Sequence, residues 1–412
     1  MKKYLWIGNY EDATRVTEMA KKGYKSSSSQ VSQQNLILGL EQTKDCIFDI
    51  ISGSVLPSYP DYKQLFIHPY SWCHKQGADD TSVGYFNGKY INRVSCQRAM
   101  EVAAEKWADT YSSDGSEVIV IAYSMRSPIM SAACRIKRKI PTAKLFLIIT
   151  DLPEFMDLAP SAVKKALKKV DALQQKKFIN FFDGFILYAE KMAQYLNIQE
   201  KPWLLMEGSL SAEECDRALN VQFRQDNGKN IIMYSGTISK KYGIPELLKA
   251  FSLISDENCQ LWLTGSGDAD ALVRDAAQKD SRIVHYGFLK SRQELLSLQE
   301  KATMFVSMRM PTEKASNYCF PSKLFEYMIT GKPVLSFRIG GIPEEYWKYL
   351  VEMKSSEPVD ICCAINQVLS MSNTERLTFS SAAKQFITQE KNNIVQSEKI
   401  WHFIDTIDTY EK

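Results

Sequence analysis

The sequence predicts an α/β protein made of two doubly wound parallel-sheet domains that face each other across a cleft. At 412 residues the chain is longer than one ordinary core requires, so length favours two or three domains. Short apolar runs alternate with longer stretches of helical period, which is typical of a parallel sheet covered by helices on both faces. The alternation breaks near Gln199–Trp203, where Glu-Lys-Pro interrupts any helix, and then starts again.

The elements can be placed in order along both halves. In the first half the predicted strands are Tyr4–Ile7, Cys46–Ile51, Gln64–Ile67, Val118–Ala122, Leu145–Ile149 and Gly184–Tyr188, and the predicted helices include Asn92–Thr110 and Pro128–Lys139. In the second half the strands are Ile231–Tyr234, Gln260–Thr264, Ile283–Tyr286, Met304–Ser307 and Pro333–Phe337, separated by the helices Ile244–Ile254, Ala269–Gln278, Arg292–Lys301 and Ser322–Ile329.

The predicted domains are residues 1–203 and 204–389. An apolar helical face from 390 to 412 predicts a final helix, which either caps its own domain or, as in two-domain sheets of this kind, crosses back to the first. Ligands of such sheets bind at the carboxyl ends of the strands, so the cleft is the expected site.

Composition excludes several classes of protein. The net charge of +3 is small for this length and gives nucleic-acid binding no support. The nine cysteines form no CxxC pair, so a zinc site or a disulfide framework is not expected, and the thiols are typical of a reducing compartment. The first apolar run is too short for a secretory signal, and the longest ones are strand-length, so we expect a cytoplasmic protein.

The stretch from Arg309 to Val334 carries the strongest chemical signal. Pro321 and Ser322 are good residues with which to start a helix, and a helix that begins at the carboxyl end of a parallel strand can bind an anion. Arg309 and Lys323 would add positive charge, and Glu326, one turn further, could accept both hydroxyls of a ribose. The alternative from the residues alone is that these are ordinary solvated surface charges.

A family resemblance supports the first interpretation. The string FPSKLFEYMITGKPVL resembles a block in bacterial retaining glycosyltransferases of the two-Rossmann (GT-B) fold, a family 4-like group that includes capsule and O-antigen enzymes. Similar blocks occur in order at 234–251, 261–272 and 284–289. In the first half the resemblance is one of pattern, clearest at 149–156 and 184–196.

The resemblance implies roles for individual residues. Glu326 matches the glutamate that holds the donor ribose, and Arg309, Ser322 and Lys323 lie where the family binds the diphosphate. Gly236, Thr237, Lys240 and Lys241 match the first loop of the donor domain. Thr237 stands where an arginine is common, and Tyr318 replaces the first of a usual pair of glutamates, so Glu313 or its loop is expected to contact the sugar.

The turn Gly265-Ser266-Gly267 follows a strand and precedes a helix, which could let the backbone approach the donor, although a plain tight turn fits equally well. Asp268 and Asp270 superficially match a metal-binding DxD, and we interpret them as acids at a helix start. The resemblance implies a reaction without a metal.

In the first half, Asp151 and Glu154 follow a strand and are the candidates for contact with the transferring sugar or the acceptor hydroxyl. Thr150 stands near a histidine of many relatives. The family's reaction is thought to use the leaving phosphate itself as proton acceptor, which requires positioning more than a side-chain base.

The segment Ser161–Lys177 predicts a helix with one apolar face, including Leu167, Val170 and Leu173, flanked by six lysines. Such a helix can lie on an anionic membrane, at the inner face of the plasma membrane, or it can pack its apolar face on the core.

The expected function is therefore transfer of a sugar from a nucleotide-sugar donor, UDP- or GDP-linked, to a lipid-linked or glycan acceptor in cell-surface polysaccharide synthesis. Two alternatives stay open: a non-catalytic nucleotide-sugar-binding subunit of a heteromeric transferase, and a nucleotide-sugar epimerase of the same fold.

Overall fold

A computed structural model describes residues 2–22, 28–112, 115–155, 162–219, 228–289 and 291–410, without the side chains of 28, 162–166 and 408–410. Met156, Ser161 and Glu411, which belong to predicted segments, lie outside the described residues. The chain divides into two units: the first comprises residues 1–188, 192–209 and 393–412, and the second residues 189–191 and 210–392.

The first unit contains an eight-stranded sheet. Its strands, with a separate two-stranded ribbon, are β1 Lys2–Gly8, β2 Phe48–Ser52, β3 Phe66–Ile67, β4 Tyr70–Trp72, β5 Asp80–Ser82, β6 Tyr85–Phe86, β7 Glu117–Tyr123, β8 Lys144–Ile149, β9 Gly184–Leu187 and β10 Trp203–Leu205. The order is β10-β9-β8-β7-β1-β2-β5-β4, and every neighbouring pair is parallel except β5 and β4.

The second unit contains a six-stranded, fully parallel sheet in the order β13-β12-β11-β14-β15-β16. Its strands are β11 Asn230–Ser235, β12 Cys259–Thr264, β13 Ile283–Gly287, β14 Met304–Ser307, β15 Val334–Phe337 and β16 Val351–Met353. Two parallel α/β sheets in one chain confirm the predicted fold class.

The helices are α1 Ala13–Lys21, α2 Ser28–Lys44, α3 Asn92–Tyr111, α4 Ser127–Lys139, α5 Ala162–Phe178, α6 Lys191–Tyr195, α7 Ala212–Leu219, α8 Ile244–Ser252, α9 Asp270–Lys279, α10 Arg292–Lys301, α11 Lys323–Met328, α12 Pro358–Ser370, α13 Asn373–Glu390 and α14 Asn393–Tyr410.

The last helix packs in the first unit, which confirms the crossing predicted from its apolar face. Trp401 of α14 is buried, stacks on Phe48 of β2, and donates its indole N–H to the carbonyl of Leu40 at 3.0 Å. An ion pair of 2.7 Å between Lys44 and Asp405 closes the exposed side of the α2–α14 contact.

One predicted strand is wrong in length and partner. Gln64–Ile67 was expected in the parallel sheet, but only Phe66 and Ile67 form a strand, antiparallel to β6. Prolines at 57, 60 and 69 flank this segment, and because proline has no N–H to donate, a long ladder cannot form there.

Candidate functional site

The candidate donor site lies at the carboxyl edge of the second sheet, where two loops join side by side. The loop after β11 and the loop after β12 continue the strand pairing beyond the sheet: the Gly236 N–H donates to Thr264 at 3.0 Å, and the Ile238 N–H to Ser266 at 3.1 Å. The Ala269 N–H then donates back to the Ile238 carbonyl at 3.0 Å. These bonds fix the position of Thr237 and the lysines that follow it.

Two glycines allow this close approach. Gly265 has a φ of +126°, and a Cβ there would lie 1.8 Å from the carbonyl oxygen of Gly236. A Cβ on Gly267 would lie 2.2 Å from the carbonyl oxygen of Ile238. The packing of one loop on the other therefore accounts for both glycines, while contact of their backbone with a donor stays a prediction.

The two aspartates of the DxD-like sequence hold these loops. The Asp268 carboxylate accepts the Lys240 N–H at 3.0 Å, and hydrogen bonds from Ser239 and that N–H hold the pKa of Asp268 below its usual range. Asp270 lies in the first turn of α9 and accepts the Gly267 N–H at 3.1 Å. The interpretation of Asp270 as an acid at a helix start is confirmed.

Two cations connect the loop after β11 with the segment after β14. The Nζ of Lys241 lies 3.4 Å from a carboxylate oxygen of Glu313, and both side chains are partly exposed. The guanidinium of Arg309 lies 5.7 Å from the centre of the Tyr242 ring. Arg309 is half-buried, and within the described part of the chain it has no carboxylate partner. It is thus a partly buried positive charge, and the binding of an anion by it stays a prediction.

The loop that carries Glu313 is fixed at its base. The Ser316 hydroxyl donates to the Met310 carbonyl at 2.7 Å, and Gly341, after β15, donates its N–H to the Ser316 carbonyl at 2.9 Å. Glu313 itself is half-buried at the start of the short 3-10 turn Lys314–Asn317.

The prediction that Ser322 caps a helix is wrong. Ser322 has helical dihedral angles and makes no side-chain cap bond, and α11 proper has only six residues. Pro321 and Ser322 already accept the N–H groups of Leu324 and Phe325 in a tight turn, so the hydroxyl is not directed at free backbone donors. Anion binding at this place stays a prediction, and with a helix of six residues it would depend on side chains more than on a helix dipole.

Lys323 and Glu326 form an ion pair with each other. Their charged atoms are 2.6 Å apart, and the two side chains are 38% and 42% exposed. A pair this exposed contributes only about 0.3–0.5 kcal/mol, so a ligand can separate it at little cost.

Tyr327, which sequence reasoning missed, anchors α11 to the sheet. Its hydroxyl accepts the Ser235 N–H at 2.9 Å and donates to the Ser235 carbonyl at 2.8 Å, and its ring stacks on Phe305. The available signal was the three-residue offset from Leu324, which places Tyr327 on the buried face of the helix. This bond fixes Glu326, its exposed neighbour, relative to the end of β11.

In the first unit the two predicted acids differ in exposure. Asp151 is half-buried directly after β8 and Thr150, whereas Glu154 is exposed and accepts a short hydrogen bond from the Tyr195 hydroxyl. Glu154 therefore has a local partner in Tyr195, and its contact with a substrate stays a prediction.

Sequence reasoning also missed a buried carboxylate after β1. Glu11 is 1% exposed, and one of its oxygens accepts the hydroxyls of Ser54, Ser82 and Ser52 at 2.5, 2.7 and 3.2 Å. Burial raises the pKa of Glu11 in spite of these bonds. The serines come from two segments, the end of β2 and the end of β5, both distant from Glu11 in sequence, so no local pattern connects them with it.

The lysine-rich helix α5 leaves the described apolar side chains of its predicted face exposed. Leu167, Val170 and Leu173 are 45%, 55% and 62% exposed, so the core-packing alternative is wrong for these side chains. The helix is held instead by Asp171, which pairs with Arg93 of α3 at 2.5 Å.

Across the described ranges, no group of three or more His, Cys, Asp or Glu side chains is arranged to hold a metal ion. No helix in the same ranges is both long and apolar enough to cross a bilayer.

Comparison with known proteins finds a family match within the second unit. Residues 229–371 match the family described as Glycosyl transferases group 1. That domain covers β11 to α12 and includes every candidate donor-site residue. A comparison with curated protein sequences gives no match.

Solved structures share the whole architecture. A sucrose-phosphate synthase from Thermosynechococcus elongatus aligns over 99% of this chain and 100% of its own, with a TM-score of 0.66 and 13% identity. HepE of Anabaena in complex with UDP aligns over 98% and 100%, with a TM-score of 0.64 and 11% identity. The lipopolysaccharide outer core galactosyltransferase WaaB aligns over 98% and 99%, with a TM-score of 0.65 and 12% identity. At such identities the likeness establishes the fold, which is GT-B.

Proposed function

We propose that the chain is a retaining, metal-independent glycosyltransferase. It moves a hexose-type sugar from a UDP- or GDP-linked donor to a lipid-linked or glycan acceptor in the synthesis of capsule, O-antigen or a similar surface polysaccharide. The observation that carries the proposal is the half-buried Arg309, which lies over the ring of Tyr242 and has no carboxylate partner in the described ranges. Lys241 and the partly exposed Lys323–Glu326 pair follow strands of the same sheet. All of them lie within the stretch that matches Glycosyl transferases group 1.

The charges suit a nucleoside diphosphate. Arg309 can bind phosphate oxygens through two parallel N–H groups, and Lys323 adds a compact charge. When a diphosphate draws Lys323 away, the Glu326 carboxylate is released to accept the ribose hydroxyls. The backbone of Gly236 and Thr237, with Lys240 and the Gly265–Gly267 turn, would form the other wall.

In the proposed reaction the bond between the sugar's anomeric carbon and the donor phosphate breaks, and the acceptor oxygen bonds to that carbon from the same face. The leaving phosphate takes the acceptor's proton. Arg309, Lys241 and Lys323 would stabilise the charge that develops on that phosphate, which is a large contribution to such reactions. Glu313 would orient the sugar, and Asp151 and Glu154 the acceptor.

The exposed apolar stripe of α5 supports peripheral contact with an anionic membrane at its cytoplasmic face. Leu173→Glu should abolish flotation with anionic liposomes at low salt, because it places a negative charge in the apolar stripe. Leu296→Glu, which changes an exposed leucine on α10, is the matched control and should float like the wild type. If the wild type itself does not float with the liposomes, the membrane proposal is wrong.

Donor use is tested by incubating the purified protein with UDP- and GDP-sugars and measuring release of free sugar and nucleoside diphosphate. Arg309→Ala and Lys323→Ala should each lower donor affinity roughly tenfold or more. Lys301→Ala is the control, since this exposed lysine precedes β14 at the opposite edge of the sheet. Binding without turnover would favour the non-catalytic subunit, and an epimerised sugar would favour the epimerase.

A further inference from the structure

The first sheet reverses its direction of growth between β1 and β7. From β1 the chain continues to β2 and β5 on one side, whereas from β7 it continues to β8, β9 and β10 on the other. In open α/β sheets, ligands bind in the crevice outside the carboxyl ends of two strands where the order reverses. Residues 9–12 follow β1 and residues 124–126 follow β7, so these two segments border the β1–β7 crevice.

Arg126, on the β7 side of this crevice, carries a charge that the protein does not balance. It is half-buried, and its side chain makes no hydrogen bond or ion pair with the residues that the structure describes. Burial lowers the pKa of Arg126, and the positive charge of Arg93 lowers it further. A partly buried charge in this situation is unfavourable unless a ligand supplies the opposite charge.

The acid nearest to this pair of arginines has its oxygens engaged elsewhere. Asp171 of α5 accepts a short hydrogen bond from the Ser127 hydroxyl on one oxygen. Its other oxygen lies 2.5 Å from the guanidinium of Arg93 and accepts the Gln175 amide at 2.9 Å. Asp171 therefore balances Arg93 and leaves the charge of Arg126 over.

On the β1 side, Glu11 is held by internal hydrogen bonds. The Tyr85 hydroxyl donates to the Ser54 carbonyl at 2.9 Å, and the Ser54 hydroxyl donates to Glu11 at 2.5 Å. Burial and Cys96 raise the pKa of Tyr85, Arg126 acts to lower it and Glu11 to raise it, so both charged residues lie near the Tyr85 hydroxyl. Yet Arg126 forms no ion pair with Glu11, which is 1% exposed.

The position of Arg126 at the start of α4 adds to the attraction for an anion. Arg126 has extended dihedral angles, and α4 begins after it without a side-chain cap. The helix has 13 residues, and the positive end of its dipole lies at the carboxyl edge of the sheet.

Two neighbouring arginines favour phosphate over a carboxylate. One guanidinium can engage both oxygens of a carboxylate, whereas a phosphate group has further oxygens for a second guanidinium. The Arg93 side chain is 40% exposed in spite of its pair with Asp171, so it can contribute as well. Both arginines lie outside residues 229–371, the stretch that carries the candidate donor site.

We propose that Arg126, with Arg93 beside it, binds a phosphate group of the sugar acceptor. The acceptor would then be a phosphorylated sugar, either a soluble sugar phosphate or a sugar joined to a lipid through a diphosphate. Asp151, the candidate for contact with the acceptor, follows β8, which is the strand next to β7. That the phosphate belongs to the acceptor rests on the proposed function, whereas phosphate binding at Arg126 does not.

Calorimetric titration of the full chain with inorganic phosphate and glucose 1-phosphate tests this. Arg309→Ala and Lys323→Ala are both introduced first, so that these donor-site cations do not contribute. Adding Arg126→Gln should weaken glucose 1-phosphate roughly tenfold or more, and Arg126→Lys should weaken it less. Arg138→Gln, the same change at an exposed arginine in the last turn of α4, should bind like the parent protein.

Glucuronate should bind at least roughly tenfold more weakly than glucose 1-phosphate, because it offers only a carboxylate. Failure of both phosphates to bind, an unaffected Arg126→Gln, or glucuronate bound as tightly as glucose 1-phosphate overturns the proposal.

Thermal unfolding separates a binding role of Arg126 from a structural one. Without phosphate, Arg126→Gln should not lower the unfolding midpoint, because it removes a charge that has no partner. Phosphate should raise the midpoint of the wild type more than that of the variant. A lower midpoint of Arg126→Gln in the absence of phosphate would show a structural role and contradict the proposal.

A final comparison identifies the source of the phosphate. Tighter binding of octyl glucosyl diphosphate than of glucose 1-phosphate assigns a lipid-linked acceptor, and the reverse order assigns a soluble sugar phosphate. Phosphate binding that depends on Arg126 in a protein that turns over no donor would sink the proposed function alone.

Discussion

The two parallel sheets end differently at their carboxyl edges. In the second unit, backbone hydrogen bonds join the loop after β11 to the loop after β12, and glycines allow this close contact. The charged side chains there, Arg309, Lys241 and the Lys323–Glu326 pair, remain at least partly exposed to solvent. In the first unit the edge buries its polar groups: one Glu11 oxygen, the Arg93 Nε and the Ser124 hydroxyl are buried without a hydrogen-bond partner among the described residues. One edge thus keeps its charged groups partly exposed to solvent, whereas the other buries polar groups in its interior.

The largest expected effect comes from disrupting the contact between the loops after β11 and β12 in the second unit. Gly265→Ala should lower the free energy of unfolding by about 4 kcal/mol, since it combines a positive φ with a backbone clash. Gly287→Ala is the matched control: Gly287 also has a positive φ, at +67°, but nothing lies within 4 Å of its Cβ position. It should cost only about 1 kcal/mol. Urea denaturation measures both, and equal losses would show that the loop contact contributes nothing.

The next effect tests the buried polar groups of the first unit. His74 follows β4 and bonds Asp80 at 2.7 Å and Glu41 at 3.1 Å. Burial acts to lower the pKa of His74, but the two carboxylates raise it to about 9. Since the folded pKa lies above the unfolded one, this contribution, about 3 kcal/mol, is fully present below the unfolded pKa and is lost as pH rises through about 9.

His74→Gln should therefore flatten the fall in stability between neutral pH and pH values above 9, in denaturation series across that range. His402→Gln, at an exposed histidine of α14, should leave the curve unchanged. An identical pH profile for His74→Gln and the wild type would show that the buried charge of His74 does not stabilise the first unit.

The same contrast explains what sequence could predict. The candidate site of the second unit could be predicted because Arg309, Lys323 and Glu326 lie close together in sequence, on one strand, loop and helix. The polar cluster of the first unit could not be predicted, because its contacts join distant segments: Glu11 contacts Ser54 and Ser82, which lie 43 and 71 residues further on. The polar run Asn9-Tyr10-Glu11-Asp12 after an apolar strand was the only local signal.

Propensity also misled at two places. Ser322 after Pro321 has the composition of a helix cap, yet the tight turn there uses the serine carbonyl instead of its hydroxyl. The apolar period of α5 is equally consistent with a core-facing and an open helix, because periodicity does not reveal whether another element covers the face. Exposure of Leu173 decides between them.

The smallest expected effect tests the role of Glu326 at the exposed edge of the second sheet. If Glu326 accepts the ribose hydroxyls, the wild type should bind UDP roughly tenfold more tightly than 2′-deoxy-UDP, since a hydrogen bond to a charged group contributes about 1.5–3 kcal/mol. Glu326→Ala should bind both nucleotides equally, because the variant has no carboxylate to distinguish them. Glu294→Ala, at an acid in the first turn of α10, should keep the wild-type ratio. Titration calorimetry gives all the affinities, and a ratio that survives in Glu326→Ala would remove this residue from the donor site while leaving Arg309 in it.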